Sequence, residues 1–142
     1  MALPTSLKLA FVTPERAIVH EQVDEVELPG EDGYFGVLPG HAPLLAALRT
    51  GEMWYRRGTE RKYAFIAGGF AEVLPDTVSI LAMVAERAED IDEARAEAAK
   101  RWAEERLSQA GTISDHEIEL ARITMLRALT RLNVTRQTRQ RH

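Results

Sequence analysis

Apolar and polar residues in the first part of the chain alternate in short segments separated by turn residues. Met53 and Tyr55 fall on one side of such a segment, and Trp54 and Arg56 fall on the other. This two-residue period is typical of a strand with one buried face. Nine segments share this character: Leu7–Thr13, Ala17–His20, Val23–Leu28, Tyr34–Leu38, Leu44–Leu48, Glu52–Arg57, Lys62–Ala67, Phe70–Leu74 and Thr77–Val84. Because none carries a helical period, the pattern predicts a sandwich or flattened barrel and not a βαβ fold.

The apolar period changes to that of a helix after the last predicted strand. A first stripe at helical spacing consists of Ile91, Ala94, Ala98 and Trp102. A second stripe, widened by Leu126 and Ala128, consists of Ile118, Ala121, Met125, Leu129 and Leu132. Asp90-Ile91-Asp92-Glu93 and Ser114-Asp115-His116-Glu117 have the form of capping boxes, with Asp90 and Ser114 as the N-caps. With the short link around Gly111, these features predict an antiparallel αα-hairpin.

Glycine and proline place the border between the two parts. All six prolines and eight of the nine glycines precede residue 77, and these residues punctuate short strands and turns. We therefore predict an all-β sandwich of about nine to ten strands over residues 1–87. An antiparallel two-helix hairpin is predicted over residues 88–142. The Gly33-x-x-Gly36 and Gly68-Gly69 pairs are interpreted as turn and bulge glycines.

Charge and composition narrow the class of protein. The 142 residues carry a net charge of −4, with 7 Lys and Arg against 12 Asp and Glu up to Glu86, and 11 against 10 afterwards. After Leu126 the charged residues are all arginines: Arg127, Arg131, Arg136, Arg139 and Arg141. A basic end suits an anionic partner. Nucleic acid is not favoured as that partner, because no aromatic residues alternate with the arginines. We expect neither a signal peptide nor a membrane helix, and the absence of Cys excludes disulfides and thiol chemistry.

The contact face predicted for the first helix is mostly alanine. A buried methyl group contributes roughly 0.8 kcal/mol, compared with about 1.5–3 kcal/mol for a buried Leu or Phe. A seam of Ala94, Ala98 and Ala99 would therefore hold two helices close together with little energy per residue. This leads to the hypothesis that the hairpin is a movable element.

The sequence contains no pattern that points to catalysis or metal binding. The four histidines have no ligand spacing, and GxSxG, Walker-type and GxGxxG motifs are absent. His41, in the tight Gly40–Pro43 loop, is interpreted as an exposed contact residue and not as a base. We expect no catalytic residues, no metal and no required cofactor, which favours a binding or mechanical component.

Three stretches resemble one family when taken in order. They are Phe35-Gly36-Val37-Leu38-Pro39-Gly40-His41-Ala42-Pro43-Leu44, Ala67-Gly68-Gly69-Phe70-Ala71-Glu72-Val73 and Ala88-Glu89-Asp90-Ile91-Asp92-Glu93-Ala94-Arg95-Ala96. Together with Val12-Thr13-Pro14-Glu15 and Val23-Asp24-Glu25-Val26, they resemble the epsilon subunit of bacterial F-type ATP synthase over about residues 7–134. Their order and joint presence make the resemblance specific.

The resemblance implies a rotor-stalk subunit of a proton- or sodium-translocating synthase on the cytoplasmic face of the bacterial plasma membrane. The sandwich would bind the gamma subunit and the c-subunit ring, with the ring-facing end at Glu31, Asp32, Tyr34 and His41. The hairpin would move between a docked form and an extended form that enters the alpha/beta catalytic head and blocks hydrolysis. Membrane association would occur only through the complex.

The same resemblance implies roles for two sets of residues, and each set includes arginines. Arg122, Arg127 and Arg131 would face an acidic segment of the beta subunit, the alternative for Arg122 being a pair with Glu119 within the helix. ATP would act as a regulatory ligand of the docked hairpin. The residues matching its motif are Glu86, Ile91, Asp92, Arg95, Ala96, Arg127 and Arg131. One departure is Trp102, which stands where ATP-binding members have a further arginine.

Two other classes remain open at the level of sequence. A generic β-sandwich protein-recognition module with a helical appendage would explain the strands. A small hydrolase on a sandwich scaffold would need a nucleophile or metal spacing that the chain lacks.

Overall fold

The computed structural model describes residues 3–140, and Arg141 of the predicted basic end lies outside them. Eight strands precede two helices. The strands are β1 Leu7–Val12, β2 Ala17–Val23, β3 Glu25–Gly30, β4 Gly33–Val37, β5 Leu44–Leu48, β6 Gly51–Arg57, β7 Glu60–Leu74 and β8 Thr77–Arg87. A 3₁₀ turn at Ala88–Asp90 leads into α1 Glu93–Ser108 and α2 Asp115–Gln140. The predicted fold class, a β-sandwich followed by a helical hairpin, is confirmed.

The eight strands form one sheet that folds over its own core. Its order is β2-β1-β8-β7-β5-β3-β4, with β6 bridging β3 and β7. The β1–β8 pair is parallel, and the other strand pairs are antiparallel. Alternate residues point into the core, whose largest fully buried side chains include Phe11, Leu28 and Met53. This alternation is the pattern that the sequence predicts for half-buried strands.

The predicted strand count is too high because Gly68-Gly69 does not end a strand. Strand β7 keeps one register with β8 across both glycines, from the Ala67–Val84 pair to the Gly69–Ala82 pair. It changes its other partner there, from β6 to β5. Positive φ angles of 80° and 138° let the two glycines continue the strand through this transition.

The first helix begins later than the capping-box pattern predicts. Asp92, and not Asp90, is the N-cap, and its side chain accepts a hydrogen bond from the Arg95 backbone N–H at 3.0 Å. Asp90 ends the 3₁₀ turn and pairs with Arg87 at 3.1 Å. For the second helix the predicted cap is present, since the Ser114 hydroxyl accepts from the backbone N–H of Glu117 at 3.1 Å.

The predicted contact face of α1 is wrong. Ala94, Ala98 and Trp102 are exposed, whereas Ala96 and Ala103 are buried. Alanine occupies several faces of this helix, so periodicity alone could not select the one that meets α2. On α2 the predicted stripe is partly right: Ala121, Ala128 and Leu132 are buried, but Leu126 and Leu129 remain about half exposed. Small side chains therefore do form the seam between the helices, on a different side of α1.

The end of α2 packs against the sandwich. Val134 is fully buried in a small apolar group, the docking cluster, which consists of Tyr63, Phe65, Ala67, Ala88 and Val134. The Asn133 side-chain amide donates to the Glu52 carboxylate at 2.7 Å. The hairpin is therefore docked on β6 and β7, and α2 continues as helix through the basic end to Gln140.

Gly69→Ala should strongly destabilise the protein. A Cβ at residue 69 would lie 2.3 Å from the Leu81 carbonyl oxygen and 2.8 Å from the Ala82 Cα, at a positive φ. Since backbone must move in the strand pair β7–β8, we expect a loss of about 3 kcal/mol or more in urea unfolding. Gly36→Ala, in strand β4 with open space at its Cβ, is the control and should change stability by less than about 1 kcal/mol. Equal effects of the two substitutions would contradict the packing argument.

Glu52→Gln should change the pH dependence of stability. Burial, and to a lesser extent the nearby Glu27 carboxylate, raises the pKa of Glu52 above its ordinary value of 4.5. A raised folded-state pKa contributes stability below the unfolded pKa, and this stability is lost as pH rises through the folded value. The glutamine variant should therefore gain unfolding free energy relative to wild type as the pH rises above the ordinary pKa of 4.5. Urea titrations at several pH values measure this, with Glu72→Gln at an exposed site as the control. The prediction is refuted if the unfolding free energy of wild type rises relative to that of the Glu52→Gln variant as the pH increases.

Candidate functional site

A cleft of about 260 Å³ opens where the sandwich, the start of α1 and the last third of α2 meet. It is lined by Glu86, Asp92, Arg95, Ala96, Ala99 and Arg131. Glu86 lies at the end of β8, the next four residues lie in the N-cap and first two turns of α1, and Arg131 lies in α2. The cleft exists only while these three elements are together, since no single element supplies its walls.

Local sequence explains how α1 contributes to the cleft. Asp92 caps the helix, which fixes the first turn and sets Arg95 one turn into α1. Ala96 is buried and Ala99 half-buried, and their short side chains leave the space that the cleft occupies. The helix N-terminus adds a partial positive charge on the same side. This wall of the cleft therefore suits an anionic group near the Arg95 guanidinium.

Arg131 is the most constrained charged residue in the cleft. Its Nε donates to Glu86 Oε1 at 2.5 Å, and its guanidinium lies 4.3 Å from the centre of the Phe65 ring. The planar cation thus stacks on an aromatic face and forms an ion pair at the same time. Arg95, by contrast, forms no ion pair with any residue in the range 3–140. Its donors are available to a ligand.

The structure brings together most of the residues that the sequence assigns to ATP. Glu86, Asp92, Arg95, Ala96 and Arg131 line the cleft. Ile91 does not line it but packs against the docking cluster. Arg127 is also absent from the lining, and its buried Nε has no partner among the described residues. Their contribution to ATP binding stays a prediction.

Trp102 occupies the position on α1 at which ATP-binding members of the family have an arginine. Its ring is exposed and stacks under the Arg106 guanidinium at 5.3 Å. Neither residue lines the cleft. The cation that the departure removes is therefore not replaced there by Arg101 or Arg106.

The three arginines predicted to contact a partner do not form one exposed row. Arg122 is exposed, Arg127 is partly buried, and Arg131 is paired with Glu86. The alternative pair between Arg122 and Glu119 does not form in the described part of the chain. Of these three arginines, only Arg122 is therefore available to a partner while the hairpin is docked.

The residues predicted for the ring-facing end occupy two places. Glu31, Asp32 and Tyr34 lie at the start of β4, and the Tyr34 hydroxyl accepts from the Glu52 backbone N–H at 3.3 Å. His41 lies in the loop that follows the other end of β4, with its Nδ1 2.6 Å from the Ala42 carbonyl oxygen. At about 3.3 Å per residue, β4 separates the two groups by roughly 13 Å. The structure thus places all four at the surface without bringing them into contact.

The sandwich carries an exposed row of apolar side chains that the sequence analysis did not predict. Phe70 on β7 faces Leu81 on β8, and Leu81 faces Val12 on β1, so the three side chains are cross-strand neighbours. All three are exposed, Phe70 to 59%, and Met83 extends the row along β8. Contiguous exposed apolar surface marks a protein contact. Alternation in β8 places Leu81 and Met83 opposite the buried Ile80 and Ala82, but only strand pairing shows that the row is continuous.

Two further findings bear on function. The described residues contain no group of His, Cys, Asp or Glu arranged to hold a metal ion. Among the helices in residues 3–140, none is long and apolar enough to cross a membrane.

Comparison with known proteins covers both parts of the chain. Residues 6–88 match the family described as "ATP synthase, Delta/Epsilon chain, beta-sandwich domain". Residues 89–136 match "ATP synthase, Delta/Epsilon chain, long alpha-helix domain". The generic recognition module and the small hydrolase give no reason for a match that spans both units.

Similar proteins agree with the family matches. An "ATP synthase epsilon chain" from Syntrophobacter fumaroxidans is 47% identical over 93% of this chain and 97% of the relative. One from Nitratidesulfovibrio vulgaris (strain DP4) is 47% identical over 91% and 95%. A chain in "Euglena gracilis mitochondrial ATP synthase, OSCP/F1/c-ring in rotational state 1" has the same fold, with a TM-score of 0.75 at 23% identity over 97% of this chain and 84% of that one. The chain belongs to the ATP synthase delta/epsilon chain family, and is an accessory subunit rather than a catalytic one.

Proposed function

We propose that this chain is the rotor-stalk subunit of a proton- or sodium-translocating F-type synthase and a brake on ATP hydrolysis. In this proposal the sandwich links the catalytic head to the c-ring. The hairpin inhibits hydrolysis when it extends, and ATP favours the docked hairpin. The single observation that carries the proposal is the cleft that Glu86, Arg95 and Arg131 form only when the hairpin is docked.

The coupling role is supported by the sandwich surface and by family membership. The row of Val12, Phe70 and Leu81 gives the sandwich an apolar face for the gamma subunit. The exposed residues Glu31, Asp32, Tyr34 and the His41 loop offer polar and aromatic contacts for the c-ring. A subunit held in this way would be peripheral, on the cytoplasmic face of the plasma membrane, and would reach the membrane only through the complex.

ATP as a regulatory ligand is supported by the chemistry of the cleft. Two guanidiniums and the N-terminus of α1 suit phosphate, while Glu86 and Asp92 leave the lining residues with no net charge. The cleft is smaller than the roughly 300–1,000 Å³ usual for ligand pockets, so it would enclose only part of a nucleotide. Because ATP would touch both the sandwich and the hairpin, it would favour the docked state by mass action.

The inhibitory role is supported by what extension would release. Arg131 would lose Glu86, and the partner-free Nε of Arg127 would become accessible. These residues and Arg122 would then present guanidiniums to a carboxylate-rich segment of the beta subunit. Nucleotide and beta subunit would then compete for Arg131, which belongs to both groups.

Arg95→Ala should weaken ATP binding by the isolated chain. Removing an unpaired guanidinium from the cleft deletes charge-assisted hydrogen bonds to phosphate, worth about 1.5–3 kcal/mol, or about ten- to hundredfold in affinity. Isothermal titration calorimetry measures this directly. Arg101→Ala, on the same helix but outside the cleft, is the matched control and should bind as wild type does. Arg127→Ala should cost less than Arg95→Ala, because Arg127 does not line the cleft. No heat at millimolar ATP with wild type would refute the nucleotide site.

Deleting residues 88–142 should raise ATP hydrolysis by the assembled synthase. The truncated chain keeps all eight strands and the apolar row but has no hairpin to extend into the head. Hydrolysis and ion pumping are measured on the same preparation. Pumping per ATP should be retained, which also shows that the shortened subunit still assembles. Unchanged hydrolysis with intact pumping would leave coupling as the role and eliminate the brake.

A further inference from the structure

The final turns of α2 carry a set of anchors, most of which lie outside the ATP cleft; Arg131 belongs to both. We name residues 131–139 the C-terminal latch. Val134, in its middle, is fully buried between the strand residues Tyr63 and Phe65 and the Ala88 turn. Trp54, Val84 and Ile91 pack around this group. The latch thus inserts an apolar side chain into the sandwich surface.

Polar contacts hold the latch at three points. Arg131 pairs with Glu86 on β8. Asn133 donates to Glu52 on β6 at 2.7 Å. Arg139, near the end of α2, donates to both carboxylate oxygens of Glu93 at 2.9 and 2.8 Å. These anchors tie the end of α2 to both the sandwich and the first turn of α1.

The rest of α2 provides little comparable anchorage. Before the latch, four large apolar side chains of α2 are about half exposed: Leu120, Ile123, Leu126 and Leu129. Before residue 131, the buried side chains of the two helices are all alanines, namely Ala96, Ala103, Ala121 and Ala128, and a methyl group contributes little on burial. The largest fully buried side chain of the hairpin is therefore Val134, within the latch.

We propose that the C-terminal latch holds the hairpin docked without any nucleotide, so that its contacts set the balance between the docked and extended states. The proposal rests on the movable hairpin of the proposed function but not on ATP binding. It gives residues 135–139, to which the sequence assigns no role beyond their charge, a task in holding the docked hairpin. ATP would then further stabilise a docked state that the chain already favours.

Thiol labelling of the full-length chain can measure release of the latch. Because the chain has no cysteine, one introduced thiol reports one position. Ala67→Cys lies in the docking cluster under Val134 and becomes accessible when the hairpin leaves. Ala71→Cys lies in the sandwich core and reports opening of the sheet itself. When closing is fast, each labelling rate is proportional to the open fraction.

Two latch variants are compared with matched substitutions elsewhere on α2. Val134→Ala should raise labelling of Ala67→Cys about tenfold, whereas Ile123→Ala, at an exposed site, should change it less than about twofold. Arg139→Gln should raise labelling about two- to fivefold. Its control, Arg136→Gln, removes an exposed arginine that has no ion pair among residues 3–140. Labelling of Ala71→Cys should stay constant in all four.

The outcomes separate the latch from the rest of the proposed function. Equal rates in Val134→Ala and Ile123→Ala would overturn the latch, as would a parallel increase at Ala67→Cys and Ala71→Cys. If Ala67→Cys never labels faster than Ala71→Cys, the hairpin does not open by itself, and both the latch and the brake fail. A latch effect without any slowing of labelling by ATP supports the latch and removes only the nucleotide site.

Discussion

The docking of the hairpin centres on one contact, in which Arg131 lies between the Phe65 ring and the Glu86 carboxylate. Cation–π stacking and a short ion pair satisfy the same guanidinium on two sides, at the place where α2 first meets the sandwich. The contact brings Val134 over its apolar site and closes the cleft against α1. Removing either partner would leave a partly buried charge uncompensated, which would weaken the docking of α2.

In the proposed function, this arrangement lets the hairpin leave the sandwich without large structural cost. Each helix can remain intact while the latch opens, because the anchors are side-chain contacts and the seam between the helices is built of alanines. The arginines that hold the docked state are also donors suited to carboxylate or phosphate. In the proposed function, a ligand or partner offers these residues an alternative anion, and its different affinity for the docked and extended states shifts the balance between them.

The sandwich and the hairpin differ in rigidity and in the kind of surface that they present. The eight-stranded core is continuous and rigid, and strand β7 spans it without a break because Gly69 accepts the close approach of Leu81. Its exposed apolar row is a permanent surface. The hairpin carries the basic residues and the adjustable contacts. The proposed function uses this difference, since the sandwich would stay attached to the stalk while the hairpin moves.

The sequence by itself determined the fold class and the change from strands to helices near residue 88, and its family resemblance named most of the residues that line the cleft. Strand alternation and helical spacing are local properties, and Asp92, Arg95 and Ala96 lie within one helical turn. It did not determine which alanines of α1 face α2 or that β7 is continuous. It also did not determine that the basic end of α2 is helical and packs on the sandwich. Those features depend on contacts between segments far apart in the chain, such as Asn133 with Glu52 and Arg139 with Glu93. Only the packing of α2 on the sheet decides which of several equivalent faces is buried and which arginines are already occupied.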